Sequence, residues 1–310
     1  MSDQKIKNII KLFISYIVYY SGLFYFLNKI VKRSGLIVFN YHNFNTFTND
    51  YWKYGSVFES EYRHNFEKQI VFIKKHVGFI HSTEIENQLS DDSLRVIFTF
   101  DDGYKDNYEI AFPILKKHGL DAIFFITTKY IGTKDYIWHD RVRVYGEQNG
   151  YSKKKVKKIL REMQSSKTNF DKYCQQFNSG SLTENEIIML SWNQIREISD
   201  AGFKVCPHTY SHTPLNYLSF KEEFEEINES RVNILSHVDK TMAIFSVPNG
   251  KYSSNTQTIL KSLEYEYCFS IMPGINNSET NKYLLKRNPM SPCDPVPVVA
   301  LKLLLIKLLK

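Results

Sequence analysis

Two short segments hold residues whose types and spacing could do chemistry. In VIFTFDDGYKDN, residues 96–107, two carboxylates, Asp101 and Asp102, follow an apolar β-branched run and precede Gly103. One could hold a cation while the other handles a proton. In FKVCPHTYSHTPL, residues 203–215, His208 and His212 lie four apart, a spacing that on one helical turn faces both imidazoles the same way and lets them share a metal ion. Each segment also has an ordinary reading: a turn with solvated charges, and a loop carrying two of the chain's nine histidines. Thr209 rather than a glutamate follows His208, which departs from the zinc-protease helix pattern.

Residues 96–100 read as a strand buried on both faces, Gly103 as the turn after it, and 104–118 as a helix. Both aspartates therefore fall at a strand's C-terminal end, where α/β sheets put their chemistry. Neighbouring side chains diverge along a strand, so the two can meet one pocket only where strand gives way to loop. Strands are expected at 36–41, 95–100, 121–126, 203–206, 242–247, 265–270 and 284–288. They alternate with helices at about 58–76, 104–118, 192–201, 218–236 and 253–263, which indicates an α/β fold. The lysine-rich stretch within 133–190, with YSKKKVKKIL in it, reads as a helical insertion at the rim; a solvated helix face is preferred there over a polyanion-binding patch.

TFDDG followed about a hundred residues later by HTYSH resembles the polysaccharide deacetylase (NodB-homology) family of metal-dependent carbohydrate esterases. LSWNQIREISDAGFKVCPHTYSHTPL, AIFSVPNGKYS at 243–253 and NYHNF around His42 resemble further family segments, so the similarity spans about residues 36–290. The resemblance implies a distorted (β/α)7 barrel, here covering 34–295 with the insertion at about 133–190. It also implies Asp101 as the general base, and Asp102, His208 and His212 as ligands of a divalent metal, with Zn2+ the ion expected. Two histidines and one carboxylate leave a coordination position open, as in catalytic rather than structural sites. By the same resemblance, the backbone N–H of Asn249, after Pro248, would stabilise the oxyanion formed as water attacks an acetyl carbonyl. Two positions depart from the family pattern. Ser246 stands where an arginine often orients the base, and YLLKRNPMSP lacks the family's Leu-x-His general acid. His42, with His139 behind it, is the candidate to protonate the leaving group, and Trp138 and Tyr210 are candidate platforms for a sugar ring.

Composition allows one large domain, since 310 residues at 43% hydrophobic content can bury a substantial core. Cys174, Cys206, Cys268 and Cys293 show no paired spacing and read as reduced core residues, which favours the cytoplasm. A net charge of +7 without a nucleic-acid motif gives no nucleic-acid partner, and basic residues at the chain ends suit a membrane surface. LFISYIVYYSGLFYFL, residues 12–27, carries no charge, yet sixteen helical residues span only about 24 Å against a ~30 Å hydrocarbon core. Lys11, Ser15, Gly22, Lys29 and Arg33 form a narrow polar stripe on it, as an in-plane anchor requires. Residues 1–33 are thus expected to be a membrane-associated helix at the cytoplasmic face, dispensable for the fold because the core strands begin at Leu36. Residues 296–310 form a basic, apolar helix that either touches membrane or packs on the barrel. The activity expected is removal of acetyl groups from N-acetylated sugars of a surface polysaccharide or lipid-linked glycan precursor. The rival is a catalytically inactive sugar-binding or scaffold protein.

Overall fold

The computed structural model describes residues 3–44, 59–178, 188–239 and 241–308. In chain order the elements are α1 (Asp3–Tyr20), α2 (Leu23–Ile30), β1 (Gly35–Tyr41), α3 (Glu59–His76), α4 (Ile85–Leu89) and β2 (Leu94–Phe100). Then come α5 (Phe112–Lys117), β3 (Ala122–Ile126), α6 (Trp138–Gln148), α7 (Lys153–Met163), α8 (Lys167–Asn178), α9 (Trp192–Asp200) and β4 (Lys204–Pro207). The chain closes with α10 (Phe220–Leu235), β5 (Ile244–Ser246), α11 (Thr256–Ser262), β6 (Tyr267–Phe269), β7 (Asn288–Pro289) and α12 (Val296–Leu308). The helix expected at 104–118 is split, with a π-helical turn at Asn107–Ala111 before α5. Pro113, which has no N–H to donate, sits in the first turn of α5. Helices α6 to α8 lie in the expected insertion; residues 179–187 of that insertion lie outside the described residues.

All strand pairs are parallel, in a five-stranded sheet of order β4-β3-β2-β1-β7 and a two-stranded sheet of β5 and β6. A single bridge, Phe269 to Leu285, joins β6 to the run leading into β7. Across the seam between β4 and β5 the hydroxyl of Thr241 donates to the Val205 carbonyl at 2.6 Å.

Strand parity sorts the side chains into two layers. Ile37, Phe39, Tyr41, Val96, Phe98 and Phe100 join the cluster beneath the helices, whereas Leu36, Val38, Ile97, Ile123, Phe125 and Cys206 form a second, inner cluster with Ile244, Phe269 and Leu285. The inner stripes end at the C-terminal edge of the strands in polar residues of the same parity: Asn40, Thr99 and Asp101, His208, Ser246 and Arg287.

The chain ends are part of this packing. No single helix among the described residues is long and apolar enough to cross a membrane, and α1 and α2 are bent by 77° at their junction. Phe24 is fully buried, its ring 5.2 Å from both Phe72 and His76. Lys307 of α12 donates to the carbonyl and side chain of Asn28 at 3.1 and 2.9 Å, and Arg33 Nε donates to the Lys307 carbonyl at 2.7 Å. Helix α12, with Val298, Val299, Ala300, Leu303 and Leu304 buried, therefore packs on the barrel. The segment expected to be dispensable for the fold packs on it: α1 and α2 lie against α12, and Phe24 against α3. Of the polar stripe, Ser15 is fully buried, its hydroxyl bonded to Leu12 O, whereas Lys29 and Arg33 are exposed, as are Ile10, Phe13, Ile17, Tyr20, Phe26 and Ile30.

Candidate metal centre and active site

Backbone conformation answers how adjacent aspartates reach one pocket. Asp101 continues the inner parity of β2, its N–H bonded to Tyr41 O at 3.0 Å. By alternation Asp102 would point into the helical layer, but its φ of 75° turns the chain and returns its carboxylate to the same side. Five non-glycine residues among those described have positive φ, and four of them (Asp102, Thr209, His212 and Asn249) belong to the loops that build this site. Such strain persists only where the surroundings enforce it.

His208 and His212 are not on a helical turn. They sit on an irregular loop after β4 with four amides engaged: His208 N with Ile126 O at 3.0 Å, Tyr210 N with Glu226 O at 3.0 Å, Ser211 N with Glu226 Oε2 at 2.8 Å, and His212 N with Thr209 Oγ1 at 3.1 Å. A helical turn would have used its own carbonyls; Glu226 of α10 replaces them and holds the left-handed kinks at Thr209 and His212. The indole of Trp138 is buried and donates to the His212 carbonyl at 3.0 Å. Trp138 thus sits under the histidine loop rather than on the cavity wall, where a sugar platform would be.

The three expected ligands converge. One ligand atom from each of Asp102, His208 and His212 lies within 4.8 Å of the others, and all three residues are buried. Asp102 Oδ1 is 3.2 Å from His212 Nε2 and 3.6 Å from His208 Nε2, yet it has no hydrogen-bond partner. His208 Nδ1 faces the Ser246 carbonyl at 2.7 Å, an arrangement that requires Nδ1 to donate and leaves the Nε2 lone pair aimed at the carboxylates. Burial pushes the His208 pKa down to about 4, so the ring is neutral near neutral pH. An orphaned carboxylate oxygen, a neutral imidazole with a directed lone pair and a second imidazole whose Nδ1 also lacks a partner fit a borderline divalent cation.

Asp101, the candidate base, is oriented by a residue that sequence reasoning missed. Arg287, 1% exposed, makes a two-pronged ion pair with Asp101, Nη1 to Oδ1 at 2.7 Å and Nη2 to Oδ2 at 2.8 Å, while its Nε donates to Ser270 O at 2.8 Å. It supplies from the entry to β7 the cation that Ser246 does not supply from β5. Asn40 Nδ2 adds a 3.2 Å contact to Asp101 Oδ2. Burial alone would raise the Asp101 pKa; Arg287, helped by His208 and His42, brings it below the ordinary carboxylate value. Burial likewise works against ionisation of Asp102, and His212 outweighs it, leaving that pKa well below the usual range. The signal for Arg287 was in the sequence: Leu285 and Arg287 share parity in an expected strand, and a charged residue at the inner end of a buried strand points to the site.

These groups line one cavity of about 610 Å³ together with His42, His139 and Asn249. His42 is half-exposed at the mouth, its Nε2 3.9 Å from Asp101 Oδ2. His139 is deeper, 3.2 Å from the Tyr104 hydroxyl and stacked edge-on against His212 at 5.1 Å, and burial holds its pKa well below the usual imidazole value. Asn249 has a φ of 52°, and its buried side-chain Nδ2 lacks a partner.

The sequence profile of the family described as Polysaccharide deacetylase matches residues 90–268, more than half of the chain, and the chain belongs to that family. The protein YxkH of Bacillus subtilis is 25% identical over 197 residues, which are 64% of this chain and 52% of YxkH, so the match spans about half that relative's length. In fold, the chain is similar to IcaB of Ammonifex degensii (TM-score 0.62, 20% identity, 87% of this chain and 98% of that one). It is similar also to the Streptococcus pyogenes deacetylase PplD in complex with acetate (TM-score 0.59, 18% identity, 88% and 98%). The parallel α/β architecture is thus that of solved deacetylase structures.

Proposed function

We propose that the protein is a metal-dependent hydrolase that removes acetyl groups from N-acetylated sugars of a surface polysaccharide or a lipid-linked glycan precursor. One observation carries the reading: a carboxylate base locked by Arg287 shares a cavity wall with the buried Asp102–His208–His212 group. A divalent cation held by Asp102, His208 and His212, Zn2+ being the simplest choice for these donors, would acidify a water and polarise the acetyl carbonyl. Asp101 takes a proton from the attacking water at Oδ2, the oxygen that faces His208 and His42. The backbone N–H of Asn249 meets the charge developing on the carbonyl oxygen. As the C–N bond breaks, the amine takes a proton from His42 at the cavity mouth, and acetate leaves. The acetate reported with PplD, a protein of the same fold, agrees with such a product.

Attachment to a bilayer is the second part of the proposal. The outward face of α1 and α2 is apolar and aromatic, with Phe13 66%, Tyr20 73% and Phe26 63% exposed, and of the polar stripe Ser15 is turned inward. An exposed patch of this kind suits a helix pair lying in the headgroup region, with Lys29, Lys32 and Arg33 beside anionic lipids.

The test is acetate release from N-acetylglucosamine oligomers by the full chain, with and without chelator. Chelator-sensitive release supports the enzyme. Tight binding of the oligomer without release, in metal-loaded protein, would make it the silent sugar-binding protein instead.

A further inference from the structure

A second cavity, of about 420 Å³, lies where α3 meets the bend between α1 and α2, and it shares no lining residue with the catalytic one. Its volume is in the range of about 300–1,000 Å³ that small-molecule sites occupy. One wall is aromatic. The Tyr19 ring is 5.8 Å from Tyr25 and 6.0 Å from Phe72, and the His76 ring is 5.5 Å from Tyr25 and 4.6 Å from Phe72. Burial, with Lys75 beside it, holds the His76 pKa below the usual imidazole value, so this ring supplies surface rather than charge.

The other wall is cationic. Lys68 and Lys75 of α3 both line the cavity, with Val71 and Phe72 between them. Their separation is two helical turns, about 10 Å, which puts both on one face and lets their flexible stems converge on one group. Among the described residues neither lysine has a hydrogen-bond or ion-pair partner. The acid in the lining, Glu67, is already taken by Lys117 at 2.7 Å and His118 at 2.8 Å, and both partners lower its pKa. Two unmet cations therefore stand beside an aromatic surface.

The surroundings decide which anion fits. The aromatic wall continues from the cavity onto the exposed face of the N-terminal helices: Tyr19 meets Tyr20 edge-on at 5.2 Å, and Tyr20 lies 5.8 Å from Tyr16. Tyr25 and Val71, which line the cavity, are themselves exposed. A free anion would satisfy the lysines and leave this aromatic run in water. An amphiphile with an anionic head and an apolar tail matches both, and an anionic phospholipid has that chemistry.

We infer that this cavity holds the headgroup of one anionic phospholipid, its phosphate between Lys68 and Lys75 and its acyl chains across the exposed aromatic face of α1. The inference rests on the bilayer attachment proposed above and adds to it a site for a single lipid.

The test titrates monomeric dihexanoylphosphatidylglycerol, dihexanoylphosphatidylcholine and inorganic phosphate into the full chain by isothermal calorimetry. Flotation with phosphatidylglycerol vesicles is measured alongside. The expected result is saturable binding of the anionic lipid, about tenfold or more tighter than the zwitterionic one and weakened by salt, with inorganic phosphate weaker still. Lys68→Gln/Lys75→Gln should abolish that preference, and Val71→Glu, which sets a like charge beside the phosphate, should reduce it. Lys261→Gln/Lys282→Gln, equal in charge but remote, should keep it. Thermal midpoints equal to the parent's check folding. Equal affinities for the two lipids, a preference that Lys68→Gln/Lys75→Gln keeps or the remote pair also loses, or inorganic phosphate bound as tightly as the lipid would overturn the inference. A chain that binds the monomeric anionic lipid through Lys68 and Lys75 but does not float would keep the site and refute bilayer attachment. Flotation without any preference between the monomeric lipids would keep attachment and refute the site.

Discussion

Replacing Arg287 with methionine removes the charge and keeps most of the length of the side chain. Asp101 would then be a buried carboxylate without its cation. Breaking one side of a buried ion pair costs roughly 3–5 kcal/mol. The lower end applies, because Asn40 still donates to Asp101 at 3.2 Å and the His208 and His42 imidazoles stay at 3.8 and 3.9 Å. A loss of about 3 kcal/mol is therefore expected in urea unfolding at pH 7. Turnover should fall on the order of 10²-fold, since the base loses the fork that orients it. Arg287→Lys, which keeps charge without the fork, should recover more stability than rate.

The pH dependence has a definite sign. In the parent, Asp101 ionises below its unfolded-state value, so its contribution to stability is present above about pH 4 and is lost as pH falls through the lower folded value. In Arg287→Met, burial becomes the dominant influence and raises the folded pKa, so ionisation opposes folding as pH rises. The stability gap between the two proteins should thus be widest near neutrality and narrow below about pH 4. The double variant Asp101→Asn/Arg287→Met should be more stable than Arg287→Met alone. A single variant within about 0.5 kcal/mol of the parent at pH 7, or a gap that widens in acid, would refute the role given to the pair.

His208→Ala and Asp102→Ala should lower bound metal measured by elemental analysis, because each leaves only two protein ligands; Asp101→Asn should keep the metal and lose about 10²-fold or more in turnover. Parental metal content in the first two would remove the site. His42→Gln should slow cleavage of an acetamide far more than of an activated aryl acetate, since an acid matters most for a poor leaving group; equal losses would direct attention to His139. Deleting residues 1–33 should lower the thermal midpoint and promote aggregation by uncovering α12 and Phe72. Phe13→Glu/Ile17→Glu/Phe26→Glu, on the exposed face, should stay folded and lose liposome flotation; flotation equal to the parent's would place the anchor elsewhere.

The strand pattern was legible because buried parallel strands are written as uninterrupted apolar runs, and all seven fall within a few residues of their expected places. The site residues were legible by type, but their joint placement was not. Spacing of four suggested a helical turn for His208 and His212, whereas the loop is shaped by Glu226, fourteen residues beyond His212, through contacts no local pattern encodes. Arg287 was overlooked for a related reason. Its stretch was read for a histidine, and β7 is only two residues long, too short for alternation to stand out. Ser15 marks the same limit for helices: periodicity located the polar stripe, but which face meets protein depends on α12, nearly three hundred residues away.

The site itself concentrates costs. Asp102, Thr209, His212 and Asn249 occupy left-handed backbone, most costly at the β-branched Thr209. Asp102 Oδ1 and His212 Nδ1 are buried without partners, and each such group opposes folding by about 1–3 kcal/mol. Other buried polar groups are met, as Gln69 is by Tyr41, Ser291 and Asp294 and Asp121 by Ser82 and Ala122, although Asn107 and the Tyr265 hydroxyl are not. Strain and unmet polar groups gathered at the ends of inner-facing strands are what a cation-binding site looks like before its ion is counted. The ion's contacts would satisfy the orphaned Asp102 oxygen, hold both imidazoles in place and offset the charge of two adjacent aspartates. The Asp101–Asp102 pair is thus divided by its backbone: one carboxylate is held by Arg287 and, in the proposed reaction, takes the proton, and the other faces His208 and His212, where the metal would sit.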